Sequence, residues 1–312
     1  MTDALAGSPR RNLVVVRAGR NSLHPRWLAD GAPRSFDLVV SAFDPETPRI
    51  EADGIVHVDQ PGGKWDGLHA TLTREDISGD LAARYDYVWL PDDDIDTTAA
   101  DIERLFAAMA RFGLTVGQPA LTRDSYYSHF LLLRCPGFAV RFTNYVEIMV
   151  PCLTSTVLAR ALPDFAGNMS GYGLDYVWCR LTDQPARSAG VIDEIEMRHT
   201  RPVGGALKTR MAALGLSPEA EEARLKARHG LSGRTVPLAY AGIDTEGLTI
   251  DGRGSMAWRM AKGYLGVLGD FPARGAALRD IAKITRRQLT KPLDLSAVPW
   301  QASALTPSHE NR

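Results

Sequence analysis

The feature that most constrains the fold is a series of short apolar runs that alternate with helix-like stretches along the first half of the chain. The runs are continuously apolar, which is typical of strands buried on both faces of a sheet. The predicted strands lie at residues 12–16, 36–41, 54–58, 85–90 and 114–117. This pattern predicts an α/β fold with a mainly parallel central sheet that helices cover on both faces.

Several helices have clear sequence signals. Thr98 is expected to cap a helix over residues 99–111, with Asp101 completing the capping box and Gly113 ending the helix. Ser217 and Pro218 are typical of a helix start. The remaining predicted elements are a crossover helix at 68–84, a strand at 145–153, a helix at 155–162, a strand at 190–193, a helix from Pro218 to Arg228, and amphipathic helices at 257–268 and 276–289.

These elements suggest three parts. We expect an α/β domain over residues 11–203, a mostly helical C-terminal extension over 204–295 and a loose tail over 296–312.

Composition excludes several classes of protein. The 312 residues include 36 Lys and Arg against 37 Asp and Glu, so net charge gives no sign of a nucleic-acid partner. Three cysteines without CxxC spacing favour a reducing compartment over a disulfide framework. The first residues lack the apolar core of a signal peptide, and the apolar stretches are too short to span a bilayer. We therefore expect a cytoplasmic protein that is not transmembrane.

An acidic cluster follows the fourth predicted strand. Four of the five residues from Asp92 to Asp96 are carboxylates, and like charges this close repel one another unless a cation neutralises them. Ligands of open α/β sheets bind beyond the carboxyl ends of strands. Oxygen ligands favour Mg²⁺ or Mn²⁺, which leaves coordination positions for phosphate oxygens. The alternative is an acidic loop whose carboxylates only cap the following helix.

Two chemistries use such a cluster, and the motif alone does not separate them. In nucleotide-sugar glycosyltransferases, an Asp-any-Asp element at a strand end holds a metal against the donor diphosphate, and Asp92-Asp93-Asp94 fits. In haloacid-dehalogenase-type phosphatases, the first Asp of Asp-x-Asp-x-Thr is the nucleophile, and the segment from Asp94 to Thr98 fits. That second motif normally opens its domain, whereas three strands come first here.

Two further signals follow later in the chain. The segment Gly171-Tyr172-Gly173-Leu174-Asp175 combines two glycines, whose backbone can approach a ligand closely, with a carboxylate that can accept a proton from a hydroxyl. Its alternative is a Gly-rich turn in which Asp175 caps a helix. His199 follows a predicted strand and can complete the coordination of Mn²⁺, although a lone histidine is more often a hydrogen-bonded core residue.

Weaker candidates surround these signals. Lys64 on a Gly-rich loop suits a phosphate contact, and Trp65 beside it offers a stacking or core surface. Glu147 interrupts an apolar run, where burial without a partner is costly, so it is expected to meet either an acceptor hydroxyl or an internal Arg. Candidates for the nucleotide pocket follow the first two strands: Ala18, Gly19, Arg20 and the segment from Ser41 to Asp44. Residues 274–291 are strongly basic, which suits an anionic lipid, glycan or nucleic acid but fits a solvated helix face better.

Taken in order, these motifs resemble domain-of-unknown-function family 707. The matching segments are Lys64-Trp65, YDYVWLPDDDID at 85–96, GQPAL at 117–121, VEIMVP at 146–151, GYGLD at 171–175, VID at 191–193 and His199. The resemblance covers about residues 11–203. The family pattern has Trp where Tyr172 stands, which keeps an aromatic ring, and it has an acid between the two Asp residues, as Asp93 is here.

The family is similar to A-type glycosyltransferases, which have a single Rossmann-like domain and a metal-binding Asp-x-Asp. The resemblance implies that Asp92, Asp94 and His199 bind Mn²⁺ or Mg²⁺, and that Asp175 faces the acceptor as catalytic base. It implies a nucleotide-sugar donor and a hydroxyl acceptor (a glycan, lipid or small molecule), with no nucleic acid. The donor-binding candidates are Ala18, Gly19, Arg20, Asp44, Lys64, Trp65 and Asp93, and the acceptor-binding candidates are Glu147, Gly171, Tyr172 and Gly173.

The sequence leaves open the donor base and sugar, the acceptor, the stereochemistry of transfer and the oligomeric state. Three other functions also remain open. One is a Mg²⁺ phosphatase with Asp94 as nucleophile and Asp96 as acid/base. Another is a non-catalytic protein that binds a nucleotide or carbohydrate. The third is a scaffold that uses the basic C-terminal helices.

Overall fold

The buried apolar runs form the centre of one large sheet. The computed structural model describes residues 5, 8–29, 31, 33–78, 84–204, 209, 211–232 and 235–300. Within them the strands are β1 Asn12–Ala18, β2 Phe36–Ala42, β3 Ile55–Asp59, β4 Tyr87–Trp89, β5 Ile95–Asp96, β6 Val116–Leu121, β7 Phe138–Thr143, β8 Cys152–Thr154, β9 Ala189–His199, β10 Ala239–Asp244 and β11 Thr249–Asp251.

The strand order of the sheet is β3-β2-β1-β4-β8-β6-β9-β7-β10-β11, and β5 pairs separately with β9. The strands from β3 to β4 are all parallel, as are β6 and β9. When the pairings are followed across the ten strands of that order, seven point one way and only β8, β7 and β11 point the other. The prediction of a mainly parallel sheet is confirmed.

Helices cover both faces of this sheet, as predicted. Val14 and Val16 of β1 point into one core and Leu13 and Val15 into the other, because successive side chains of a strand face opposite ways. The helices are α1 His24–Trp27, α2 Lys64–Leu72, α3 Glu75–Ser78, α4 Ala99–Arg111, α5 Ser155–Ala161, α6 Leu174–Val177, α7 Pro218–Arg228, α8 Arg253–Gly266 and α9 Arg274–Thr290. The first core includes α4, α8 and α9, and the second includes α2, α5, α6 and α7.

Two predicted elements were wrong. The predicted helix over 68–84 is instead α2, which begins four residues earlier, followed by the short α3; residues 79–83 lie outside the described part. The predicted strand over 145–153 is a loop up to Pro151, and only β8 is extended. Its backbone is held by mixed contacts: the Glu147 N–H donates to Gln118 Oε1 at 2.7 Å, and the Met149 and Pro151 carbonyls accept the N–H groups of Asp92 and Leu90. Pro151 also has no N–H to give to a ladder.

The C-terminal part is built from both predicted helices and unpredicted strands. The Ser217 hydroxyl accepts the Ala220 N–H at 3.2 Å and so caps α7. Compared with the predicted helix over 257–268, α8 begins four residues earlier and ends two residues earlier, whereas α9 extends the predicted helix over 276–289 slightly at both ends. In addition, β10 pairs with β7 and β11 with β10, so this segment enlarges the same sheet. The boundary at 203/204 remains a prediction, and residues 301–312 of the predicted tail lie outside the described part.

Two other expectations can be compared with the structure. Cys135, Cys152 and Cys179 are buried free thiols. Among the described residues, no helix has the length and apolar character that crossing a bilayer requires.

Candidate functional site

A large cavity opens at the carboxyl ends of the parallel strands. The chain leaves β1 to form β2 and β3 on one side, then returns to form β4 on the other side of β1. This change of direction creates a crevice in which open α/β sheets bind ligands. The cavity has a volume of about 940 Å³, and its lining includes Arg17 of β1, Lys64 after β3, and Asp92 to Asp94 after β4.

The pairing of β5 with β9 brings Asp94 beside His199. Ile95 lies opposite His199 in this short antiparallel ladder, so the residue before β5 and the last residue of β9 meet at the same edge. Thr200 fixes this register because both its N–H, at 3.1 Å, and its hydroxyl, at 2.8 Å, donate to the Asp94 carbonyl oxygen. The ligand atoms of Asp92, Asp94 and His199 all lie within 4.8 Å of one another.

The hydrogen bonds of His199 suit a metal ligand. Its Nδ1 lies 2.9 Å from the Tyr126 carbonyl oxygen, which can only accept, so Nδ1 carries a proton and Nε2 faces the carboxylates. Nε2 lies 3.3 Å from Asp94 Oδ1, a buried oxygen without a hydrogen-bond partner among the described residues. Metal-binding histidines commonly donate their other ring N–H to a carbonyl in this way. Two carboxylates and an imidazole are suitable ligands for Mn²⁺ or Mg²⁺.

Basic side chains from distant segments relieve part of the carboxylate repulsion. Lys64 Nζ donates to Asp92 Oδ1 at 2.5 Å and to the Ile148 carbonyl at 2.6 Å. Asp93 accepts the Gly19 N–H and the Arg201 guanidinium, each at 2.9 Å. The expectation that only a bound cation would offset this charge was therefore too strong for Asp92 and Asp93. Asp94 Oδ1 has no hydrogen-bond partner among the described residues, and protonated His199, 3.3 Å away, would offset its charge when no metal is bound.

Burial shifts the protonation of this group. It raises the pKa of Asp92, an effect that the Lys64 charge opposes, and it raises the pKa of Asp93 against the Gly19 and Arg201 contacts. For His199, burial lowers the pKa, but the neighbouring Asp94 and Asp92 carboxylates outweigh it and the pKa is raised overall.

A rigid loop carries Asp175 into the same cavity. Glu221 of α7 accepts the N–H groups of Met169 at 3.0 Å and Ser170 at 2.8 Å, and so ties the loop to that helix. Gly171 has φ +78°, and a Cβ there would lie 2.1 Å from Trp65 Nε1. The backbone of Gly171 therefore packs closely against the Trp65 ring, where the sequence predicted a close approach to a ligand. Gly173 at φ +97° is the N-cap of α6, so Asp175 lies inside the helix and does not cap it.

Asp175 belongs to a buried pair of carboxyl groups. The Tyr145 hydroxyl lies 3.0 Å from Asp175 Oδ2 and 3.0 Å from Glu147 Oε2. One hydroxyl hydrogen can serve only one of them at a time, so the arrangement favours a proton on the other carboxyl group. Asp175 Oδ1 is buried without a hydrogen-bond partner among the described residues.

The electrostatics of this pair agree with its geometry. Burial raises the pKa of Asp175 well above its usual range, and the Glu147 charge raises it further. Burial also raises the pKa of Glu147, although hydrogen bonds from Ser128 and Tyr145 oppose the shift. A carboxyl group with a raised pKa in a cavity is suited to proton transfer.

Most of the predicted site residues line this one cavity. They are Lys64, Asp92, Asp93, Asp94, Glu147, Tyr172, Gly173, Asp175 and His199. The expected internal Arg partner of Glu147 is not found among the described residues, since its side chain contacts Ser128 and Tyr145.

Six predicted residues are not part of the cavity wall in the described part of the chain. Arg20 and Asp44 form an ion pair of 2.8 Å beside it. Trp65 is buried against Phe165 and Trp178, and Gly171 packs on Trp65. Ala18 is buried at the end of β1, and Gly19 contributes its N–H to Asp93.

Sequence reasoning missed Arg17. Its guanidinium is buried, bonded to Ser41 Oγ at 2.8 Å and to the carbonyls of Gln60 at 2.7 Å and Gly62 at 2.9 Å, and it makes no ion pair with any described residue. Burial lowers its pKa to about 10. The available signal was a cation at the end of an otherwise apolar strand. Phe43 lies 5.6 Å from this guanidinium, is 45% exposed and also lines the cavity.

Fold and cavity together define an α/β protein with an acidic and histidine-containing site at the switch point of its sheet. Two similar solved structures are of S. aureus TarS 1-349. The complex with UDP-GlcNAc has a TM-score of 0.40 at 10% identity, covering 89% of this chain and 90% of that one. The complex with UDP has a TM-score of 0.39 at 10% identity, covering 96% and 98%. These scores are too low to indicate what this chain binds.

No family model and no curated protein matches the sequence. The resemblance to family 707 therefore remains a prediction.

Proposed function

We propose that this protein is a metal-dependent glycosyltransferase that moves a sugar from a nucleotide-diphosphate donor to a hydroxyl acceptor. One observation carries the proposal: the cluster of Asp92, Asp94 and His199 lines the same cavity as Asp175, a buried carboxyl group with an unbonded oxygen. A site for a diphosphate and a site for proton removal are thereby combined at the sheet edge where α/β proteins bind nucleotides.

Asp92, Asp94 and His199 would hold Mn²⁺ or Mg²⁺. The unbonded Asp94 Oδ1 and the orientation of His199 by Tyr126 support this fit. When bound, the cation supplies positive charge that stabilises the departing diphosphate. Lys64 keeps Asp92 in place and brings a second positive charge to this side of the cavity.

The donor side is formed by the ends of β1 to β3. Arg17 adds a buried positive charge whose Nε has no partner among the described residues. Phe43 presents an exposed ring for stacking on a base. Asp93 accepts hydrogen bonds from Gly19, which follows β1, and from Arg201, which follows β9, and so links these two segments.

The acceptor side contains Asp175, Glu147, Tyr172 and Gly173. In an inverting reaction, the acceptor hydroxyl would give its proton to the ionised form of Asp175, and the raised pKa makes that carboxylate a stronger base than an exposed one. Tyr145 would hold the carboxyl group in position through its hydroxyl. In a retaining reaction no such base is needed, and Asp175 would orient the acceptor.

The phosphatase alternative has less support. It requires Asp94 as nucleophile and Asp96 as acid/base around one substrate, yet Asp96 lies on β5, paired with Arg198, and is not among the described residues that line the cavity. A non-catalytic binding protein would have the same cavity but would not need a buried, partly unbonded Asp175, which costs stability.

The test is release of nucleoside diphosphate from a panel of nucleotide sugars, with Mn²⁺ and a mixture of hydroxyl acceptors. We expect metal-dependent turnover that Asp175→Asn reduces at least about 100-fold, the usual contribution of a general base. The exposed Asp183 provides the matched control, and Asp183→Asn should leave turnover unchanged. Donor binding without turnover would favour the binding protein, and a phosphoenzyme lost in Asp94→Asn would favour the phosphatase.

A further inference from the structure

The helical hairpin formed by α8 and α9 has a charge opposite to that of the rest of the chain. Residues 253–291 contain nine Lys or Arg and two Asp, although the whole protein has a net charge of −1. The remaining residues therefore have a net negative charge. In a nearly neutral protein with such a charge asymmetry, the basic region is the part that anionic surfaces attract.

Each helix of this hairpin exposes large apolar side chains outside its buried face. On α8, Met256, Met260 and Tyr264 are buried, whereas Trp258 is 70% exposed and Leu265 is 48% exposed. On α9, the buried positions are Ala277, Ile281, Ile284 and Gln288, whereas Leu278 is 49% and Leu289 57% exposed. Large apolar residues grouped on a surface mark an interaction site more often than isolated ones do.

The two helices are neighbours in the fold. Arg253, at the start of α8, donates to the carbonyl of Arg287 at 3.4 Å and to that of Lys291, so the helices run antiparallel. We call the exposed apolar and basic positions of these two adjacent helices the outer surface. It comprises Trp258, Lys262, Leu265, Leu278, Arg279, Arg286 and Leu289.

The cations of this surface are available for a partner. Lys262, Arg279 and Arg286 are exposed, and none of them forms an ion pair with a described residue. The two acids of the segment are engaged elsewhere: Asp270 lies 3.5 Å from Arg123, and Asp280 bonds to the Tyr127 hydroxyl. The positive charge of the outer surface is therefore not neutralised internally.

We propose that the outer surface binds an anionic lipid bilayer from the side, without crossing it. Trp is favoured at the level of lipid headgroups, and leucines beside it add apolar contact with the acyl chains. Lys262, Arg279 and Arg286 attract anionic headgroups. A nucleic acid would use the cations but would leave Leu265, Leu278 and Leu289 in water, so the mixed composition favours the bilayer.

The test is sedimentation of the full chain with vesicles of phosphatidylcholine alone or mixed with phosphatidylglycerol. We expect binding to the anionic vesicles only, weakened at high salt. Trp258→Ser/Leu265→Ser and Arg279→Glu/Arg286→Glu should each reduce vesicle binding at least tenfold. Leu214→Ser is the apolar control, because Leu214 is 61% exposed and precedes α7, which packs on the opposite face of the sheet. Arg49→Glu, at an exposed arginine beside β3, is the charge control.

Circular dichroism and urea unfolding of each variant show whether it is folded. The proposal would be overturned if the wild-type chain did not bind the anionic vesicles or if the control variants lost as much binding as the test variants. It would also be overturned if the chain bound duplex DNA more tightly than vesicles. Because the measurement needs neither donor nor metal, its result is independent of the glycosyltransferase proposal.

Discussion

His199 Nε2 lies 3.3 Å from Asp94 Oδ1, and these two atoms face each other because β5 and β9 pair beside them. Tyr126 fixes the imidazole by accepting its Nδ1 proton. The relationship joins the acidic loop after β4 to the end of β9, which is more than a hundred residues further along the chain.

The first prediction concerns metal affinity. Asp94→Ala and His199→Ala should each weaken Mn²⁺ binding at least about tenfold, since each removes a proposed ligand, and losing a group that only orients a metal ligand already costs about 10–100-fold. Isothermal titration of Mn²⁺ measures the affinity. Asp96→Asn, two residues from Asp94 but on β5, is the control. Unchanged affinity in both alanine variants would exclude this cluster as the metal site.

The second prediction concerns the loop that holds Asp175. Gly171→Ala should lower the free energy of unfolding by about 2–4 kcal/mol, because a Cβ at φ +78° adds backbone strain and a clash with Trp65. Gly167 has a similar φ of +66° but nothing within 4 Å of an added Cβ. Gly167→Ala should therefore show only the backbone cost of about 1–2 kcal/mol in the same urea titration. If the two variants lost the same free energy of unfolding, the contact between Gly171 and Trp65 would not be tight.

A third prediction concerns stability and pH. Because the pKa of Asp175 is raised in the folded protein, its ionisation opposes folding, and stability is lost as pH rises from about 4 through the folded pKa. Asp175→Asn should therefore raise the free energy of unfolding at pH 8 by about 1–3 kcal/mol, with a smaller gain near pH 5. Urea unfolding at both pH values measures this. Asp183→Asn should stay within about 0.5 kcal/mol, and a destabilised Asp175→Asn would contradict the argument.

The fourth prediction separates structure from catalysis at Tyr145. Tyr145→Phe should cost about 1–3 kcal/mol of stability, because it leaves a buried carboxyl group without its hydrogen bond. It should also slow sugar transfer about tenfold while Mn²⁺ affinity stays the same. Tyr85 offers a matched control, since its hydroxyl donates to the buried Asp37 at 2.8 Å away from the cavity. Tyr85→Phe should lose comparable stability without slowing transfer; equal slowing would assign Tyr145 a structural role only.

Much of the sheet could be predicted because its signals are local. The runs that form β1 and β2 are continuously apolar, and the helix over 99–111 has the predicted cap: the Thr98 hydroxyl accepts the Asp101 N–H at 3.2 Å. Asp92, Asp94 and His199 could be grouped because each follows or ends a strand, and such ends meet at one edge of the sheet.

What could not be predicted depends on long-range contacts. The segment from Tyr145 to Val150 is as apolar as a strand, but its Glu147 N–H bonds to the Gln118 side chain and its Ile148 carbonyl to Lys64, contacts that no local pattern indicates. Arg17 was hidden in a strand, and its role follows only from the carbonyls that Gln60 and Gly62 bring to it. The pairing of Glu147 with Asp175 across Tyr145 joins residues that no local pattern relates.

The most direct test of the central claim is a thermal-shift screen of nucleoside diphosphates and nucleotide sugars, with and without Mn²⁺. A ligand that binds only the folded state raises the melting temperature in proportion to its affinity and concentration. The account predicts a stabilisation that requires nucleotide and metal together and is absent in Asp92→Ala/Asp94→Ala. A nucleotide that stabilises that double variant as much as the wild-type chain, or no stabilisation by any pair, would contradict it.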